Sequence, residues 1–259
     1  MNRFALLLLI LVPSVSFAHE AVAPEFSCEL LLNNEFSRTP DDFRTGLVSQ
    51  RVLLTVPALV GAYKRGIFPW GVSMGGYGRW YRPPERGILE FKDLHISRSD
   101  QKFLRQAQAA GDYRVTFDEA FKQVVEQCAT VPRYRRDSMT GIKVADGPWI
   151  TPEFLETYSH LHHLGMAHSV EVWRGDQLVG GLYGVFIDGV FTGESMFYRE
   201  PDATKLAMHA LIERLKTNGH QFIDTQMAMG LAQKWGAKLI PRADFEKRLK
   251  LAQQQNLKF

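Results

Sequence analysis

Apolar runs of strand-forming residues are concentrated in the second half of the chain. His168 to Trp173, Gln177 to Ile187 and Gly189 to Tyr198 are rich in Val, Ile, Phe and Tyr and are separated by Gly175-Asp176 and Asp188-Gly189. Such runs, broken by residues that tolerate φ > 0, predict an antiparallel meander with tight turns. The period then changes. Asp202 is expected to cap a helix in which Met208, Leu211, Ile212 and Leu215 form one face, stopped by Asn218-Gly219. Phe222 to Met227 returns to a period of two, and a short helix to Trp235 and a last, basic helix from Arg242 follow. The order meander, helix, strand predicts an α/β (α+β) mixed sheet with flanking helices, in which strand 222–227 lies beside the meander.

The pattern upstream is more broken. Residues 19–50 show no sustained period and read as an irregular lead-in. Pro57 to Lys64 predicts a short helix, and the glycine-rich stretch Gly71 to Gly78, flanked by Trp70, Trp80 and Tyr81, predicts a loop. Gly87 to Phe91 reads as a strand, and Ser97 or Ser99 caps a helix to about Ala110. Tyr113 to Phe117 and Glu119 to Cys128 follow as strand and helix. The basic segment 131–147, with Arg133, Arg135, Arg136 and Lys143, reads as a loop that either meets phosphates or is a solvated surface. Thr151-Pro152 opens a helix with Phe154, Leu155, Tyr158, Leu161 and His162 on its apolar face. The resulting division is a leader over 1–18, a small N-terminal α/β region over 19–90 and the mixed-sheet domain over 91–259.

Composition narrows the class. The 259 residues are 45% hydrophobic and 23% charged, which is globular, and the formal net charge of +3 is too small to argue for nucleic acid by itself. Arg3, the apolar run Phe4 to Val12 and Ser16-Phe17-Ala18 read as a secretory signal peptide cleaved after Ala18, which predicts a periplasmic or secreted mature chain. The run is too short to span a bilayer, so no stable membrane span is expected. In an oxidising compartment Cys28 and Cys128 either form one disulfide or remain two buried thiols. His160, His162, His163 and His168 match no metal-binding spacing, and no metal or cofactor is expected.

Three polar residues stand out in the apolar strands. Glu194 lies in the second hairpin strand, where a buried carboxylate needs partners. Asp224 and Gln226 are two apart and so share a strand face. The three converge on one cleft if the strands are neighbours. Each also has a structural reading: a hydrogen bond inside the hairpin for Glu194 and a carboxylate bonded to a backbone turn for Asp224.

Six collinear stretches carry a resemblance. They are Arg65-Gly-Ile-Phe-Pro-Trp70, Leu94-His-Ile-Ser-Arg-Ser99, Trp149-Ile-Thr151, His168-Ser-Val-Glu-Val-Trp173, Gly193-Glu-Ser-Met-Phe197 and Ile223-Asp-Thr-Gln226. In these the chain resembles the leucyl/phenylalanyl-tRNA protein transferases, which have a GNAT-like fold. That family moves leucine, phenylalanine or sometimes methionine from aminoacyl-tRNA to the N-terminal amine of a protein beginning with Arg or Lys. The resemblance implies that Asp224 and Gln226 form a catalytic relay on the amine. It places Glu194, Met196 and Phe197 at the pocket for the aminoacyl side chain, and Trp70 and Trp149 against the terminal adenosine. Asp224→Ala is then expected to abolish transfer with little change in melting temperature.

The chain departs from the family at Met229-Gly230-Leu231, where an Asn-Asp-His segment is usual. It departs again at Arg51-Val52, where a glycine pair is usual, and in a longer 131–147 segment. The aminoacyltransferase reading therefore has an alternative, an exported, divergent or inactive descendant whose cleft binds a different amine or peptide. A GNAT enzyme using acyl-CoA is disfavoured, because no glycine-rich pyrophosphate loop lies between Phe197 and the helix after Asp202.

Overall fold

The computed structural model describes residues 45–73, 75–130 and 150–259, and the backbone alone of 133–136 and 143–146. The expected leader, Cys28 and Trp149 lie outside the described residues. A small antiparallel sheet comes first, built from β1 (Leu47–Leu53), β2 (Phe68–Val72) and β3 (Tyr77–Tyr81) in the order β1-β3-β2. Helix α1 (Val56–Tyr63) joins the first two strands, its first turn capped by the Thr55 hydroxyl accepting from the Ala58 amide. The segment expected as a glycine-rich loop is thus largely the β2–β3 hairpin. Glycine serves there for close approach: a Cβ at Gly78 would lie 2.8 Å from the Trp80 indole nitrogen.

The large sheet has seven strands in the order β12-β4-β11-β10-β9-β8-β5. Its meander is β8 (Ala167–Arg174), β9 (Gln177–Ile187) and β10 (Val190–Tyr198). The β9–β10 turn holds Asp188 at φ 48° and Gly189 at φ 81°, the pair of positive dihedrals its Asp-Gly sequence anticipates. Helix α5 (Ala203–Thr217) leads to β11 (Phe222–Gln226), which pairs with β10 in parallel through Thr192 and Asp224. The expected mixed sheet, with the returning strand beside the meander, is realised. β4 (Glu85–Glu90), from ahead of the expected boundary at residue 90, is hydrogen-bonded between β11 and the edge strand β12 (Lys238–Pro241).

Helices cover both faces. On one, α2 (Arg98–Ala110) and α5 pack Leu104, Leu206, Leu211 and Leu215 against Val170, Leu182 and Ile223. On the other, α1, α3 (Phe121–Thr130) and α4 (Pro152–His163) pack Leu59, Val124 and Phe154 against Tyr183, Val185 and Phe197. Helix α7 (Arg242–Gln253) extends this second layer with Phe245 and Leu249 over Ile88. The remaining elements are β5 (Arg114–Phe117), the two-stranded β6 (Arg133–Arg136) and β7 (Lys143–Asp146), and the short α6 (Gly230–Lys234). Asp202 occupies the position before α5 at φ 67° but does not cap it; its carboxylate pairs with Lys205 at 2.7 Å instead. Among the described residues no helix is long and apolar enough to cross a membrane.

Three irregularities interrupt the ladder of the large sheet; one lies between Val172 and Trp173 on β8, and the other two lie on β10 and β11. On β10 the register advances from Gly193 to Ser195 while β9 moves only from Gly184 to Tyr183, so Glu194 is an inserted bulge residue. On β11, Asp224 and Gln226 oppose the consecutive residues Ile88 and Gly87 of β4, which makes Thr225 a second one. Both lie on the two strands that pair in parallel.

Candidate active site

A bulge bends its strand and re-aims side chains, and here it turns Glu194 toward the α1/α4 layer. Tyr63 at the end of α1 donates to Glu194 Oε1 at 2.7 Å, and Tyr158 from α4 donates to Oε2 at 3.3 Å. The two hydroxyls are 2.8 Å apart. From β11 the Gln226 side-chain amide donates to Oε1 at 2.9 Å. Burial pushes the Glu194 carboxyl up to about 7 despite these donors and the nearby Arg86; neighbouring Asp224 adds to the rise. Burial, with Glu194 beside them, holds both tyrosines well above their ordinary range, so at neutral pH they keep their protons.

Asp224 is 1% exposed and its carboxylate is saturated. Arg86 grips it with Nε to Oδ1 at 2.7 Å and Nη2 to Oδ2 at 2.6 Å. The Thr192 hydroxyl donates to Oδ2 at 3.2 Å and the Gln226 backbone amide to Oδ1 at 2.9 Å. Four donors occupy the roughly four lone-pair sites of a carboxylate. Arg86 in turn donates to the Gly66 carbonyl at 3.1 Å, and its guanidinium lies 4.4 Å from the Phe68 ring centroid and 4.8 Å from that of Phe245.

Gln226 links these two centres. Its φ is 59°, a left-handed value uncommon outside glycine, and the Met227 amide closes a three-residue turn onto the Thr225 carbonyl at 2.5 Å. Gly87 makes room for that turn, since a Cβ there would lie 2.3 Å from the Met227 carbonyl carbon. Beyond the turn Gln226 and Met227 line a pocket of about 380 Å³ with Trp70, Arg79, Tyr81 and Glu85. Trp70 is 40% exposed and meets Tyr81 edge-on, whereas Trp80 is fully buried and donates to the Val52 carbonyl.

Of the expected site residues, the structure brings Glu194, Asp224 and Gln226 together and sets Trp70 on the pocket that Gln226 reaches. Phe197 shares a core with Tyr63 and Tyr158, while Met196 packs in the α2/α5 layer away from Glu194. The relay geometry also differs from the simple one, because Asp224 meets the backbone of Gln226 and the Gln226 side chain goes to Glu194. Sequence reasoning does not single out Arg86, Tyr63 or Tyr158 as site residues; in sequence the tyrosines are simply apolar helix positions. Among the described residues no group of His, Cys, Asp or Glu is arranged to hold a metal. A larger cavity of about 530 Å³ between α2 and α5 contains none of the candidate residues.

Residues 88–250 match the family model described as leucyl/phenylalanyl-tRNA protein transferase. A leucyl/phenylalanyl-tRNA–protein transferase of Stutzerimonas stutzeri (strain A1501) is 43% identical over 204 residues, covering 79% of this chain and 84% of that protein. The protein of the same name from Ectopseudomonas mendocina (strain ymp) is 44% identical over 200 residues, covering 77% and 82%. Solved structures align more loosely. L-PGS from Bacillus licheniformis is 10% identical at TM-score 0.36, covering 73% of this chain and 66% of that one. A GCN5-related N-acetyltransferase from Kribbella flavida is 13% identical at TM-score 0.33, covering 70% and 58%. The chain belongs to the leucyl/phenylalanyl-tRNA protein transferase family.

Proposed function

We propose that the chain transfers an aminoacyl group from the terminal ester of a tRNA to the N-terminal amine of a protein or peptide. The observation that carries this reading is Glu194, held by two tyrosines and by the amide of Gln226, which itself lines a pocket edged by Trp70. An attacking amine must be neutral, and it loses one proton as the C–N bond forms and the ester C–O bond breaks. A carboxyl titrating near 7 is suited to take that proton and return it to the leaving ribose oxygen. Tyr63 and Tyr158 supply fixed donors beside it, and Trp70 offers an exposed face on which an adenine stacks. The assay is transfer of labelled leucine or phenylalanine from charged tRNA to a peptide beginning with Arg; no product from the purified chain sinks the reading.

A second reading rests on Met229. It holds the position before α6, makes no side-chain cap and is 57% exposed beside the turn that carries Gln226. An Asn there, usual in the family, would supply a capping oxygen. With the leader over 1–18, this favours an exported descendant acting on a different amine or peptide. Fractionation with N-terminal sequencing separates the two readings, because an intact Met1 in the cytosol excludes export.

A further inference from the structure

A buried ion pair contributes little net stability compared with apolar groups of the same size, so the Arg86–Asp224 pair asks for another reason. Its geometry supplies one. The guanidinium fork meets both carboxylate oxygens and is itself clamped by the Gly66 carbonyl and by Phe68 and Phe245. Asp224 is thereby fixed in rotation as well as position. Its Oδ1 accepts the backbone amide of Gln226, the residue held at φ 59°. A non-glycine residue leaves the left-handed region unless its surroundings hold it there, and leaving it would swing the Gln226 amide off Glu194. We propose that Arg86 is a positioning residue: by locking Asp224 it holds the Gln226 backbone in the conformation that aims the side-chain amide at Glu194, and Asp224 itself exchanges no proton with substrate.

This deepens the transferase reading and rests on it only for kinetics. The groups facing Glu194 are Tyr63 from α1, Tyr158 from α4, Asp224 and Gln226 from β11, and Arg86 from β4. The Gln226 hydrogen bond favours the ionised carboxylate, so its loss raises the Glu194 midpoint. The direct test is a carbon-13 carboxyl titration of glutamate-labelled protein, with the Glu194 signal assigned by its absence in Glu194→Gln.

Gln226→Ala should raise the midpoint. Arg86→Lys keeps the charge but loses the fork, and should raise it too. The double variant should match Gln226→Ala alone. An Arg86→Lys midpoint equal to wild type, or a further rise in the Gln226→Ala background, overturns the proposal. Should Arg86→Lys not fold, the neutral pair Arg86→Gln/Asp224→Asn takes its place. Because it also removes the Asp224 charge that raises the Glu194 midpoint, the expected result is a smaller rise on adding Gln226→Ala than in wild type, and an equal rise overturns the proposal.

In the transfer assay Arg86→Lys should lower kcat at unchanged donor KM and add nothing to Gln226→Ala. The acid limb of the pH profile should persist in Asp224→Asn, and its disappearance would make Asp224 the proton acceptor. Absence of transfer by the wild type counts against the functional reading, while the titration still decides the role of Arg86.

Discussion

Glu194 makes the fold's stability respond to pH in the direction opposite to that of most carboxylates. Burial puts its midpoint at about 7 in the folded chain, against an ordinary value of 4.5. A group whose folded pKa lies above its unfolded one holds an extra proton in the folded state. Its contribution is therefore fully present below about 4.5 and is lost as the pH rises through about 7. Glu194→Gln fixes the neutral form. Each pH unit between the two midpoints is worth about 1.4 kcal/mol, and the part of that window lying between pH 5 and pH 8 amounts to about 2.5 kcal/mol. Wild type should lose that much relative to Glu194→Gln over the same range. Whatever the new amide costs in hydrogen bonding is present at both pH values and cancels in the comparison. Urea unfolding of both proteins at the two pH values measures it, and in thermal melts the gap corresponds to about 5–10 °C. A stability difference that is the same at pH 5 and pH 8 would refute the reasoning, because the three donors would then outweigh burial and leave Glu194 ionised throughout.

Asp224→Ala leaves the Arg86 guanidinium buried without its carboxylate, at a cost of about 3–5 kcal/mol, so its melting temperature should fall by roughly 6–20 °C. That replaces the expectation of a nearly unchanged melting temperature, and calorimetry showing a fall under about 2 °C would restore it. Gly87→Ala drives a methyl into the Met227 backbone and should destabilise by about 1–3 kcal/mol or more, read from the urea midpoint; a midpoint equal to wild type would mean that the turn yields freely. Trp70→Ala should weaken binding of an aminoacyl-adenosine by about 1–3 kcal/mol if the ring is a stacking surface, and equal affinity by fluorescence titration would make it a packing residue.

The meander is legible in the sequence because its turns are chemical: Asp188-Gly189 takes positive φ at both positions, and the strands between turns are rich in Val, Ile, Phe and Tyr. The β2–β3 hairpin is hidden because, of its glycines, only Gly75 and Gly76, both at positive φ, form its turn, while Gly78 lets the Trp80 ring approach and Gly71 the Arg79 side chain. β12 is four residues long and mostly exposed, too short for a period to show. Arg86 leaves one usable signal. A period of two puts it on the face of the fully buried Ile88, where a guanidinium demands a carboxylate, and Asp224 is one of the few carboxylates that the sequence sets in apolar strands. The hydroxyls of Tyr63 and Tyr158 are legible only as ring positions on apolar helix faces, since the partner they share arrives from a strand far along the chain.

The inserted residue in β10 constrains how this strand can change over time. Thr192 and Phe197 are an odd number of places apart, yet both face the α1/α4 layer, and Met196 faces the other one. Their placement depends on how many residues lie between them as well as on which residues those are. Any substitution in the stretch keeps that count, but deleting a single residue between Gly193 and Ser195 would restore a regular ladder. It would also turn every side chain on one side of the deletion to the opposite layer relative to the other. The strand therefore behaves like a reading frame, open to drift by replacement and closed to gain or loss of one position.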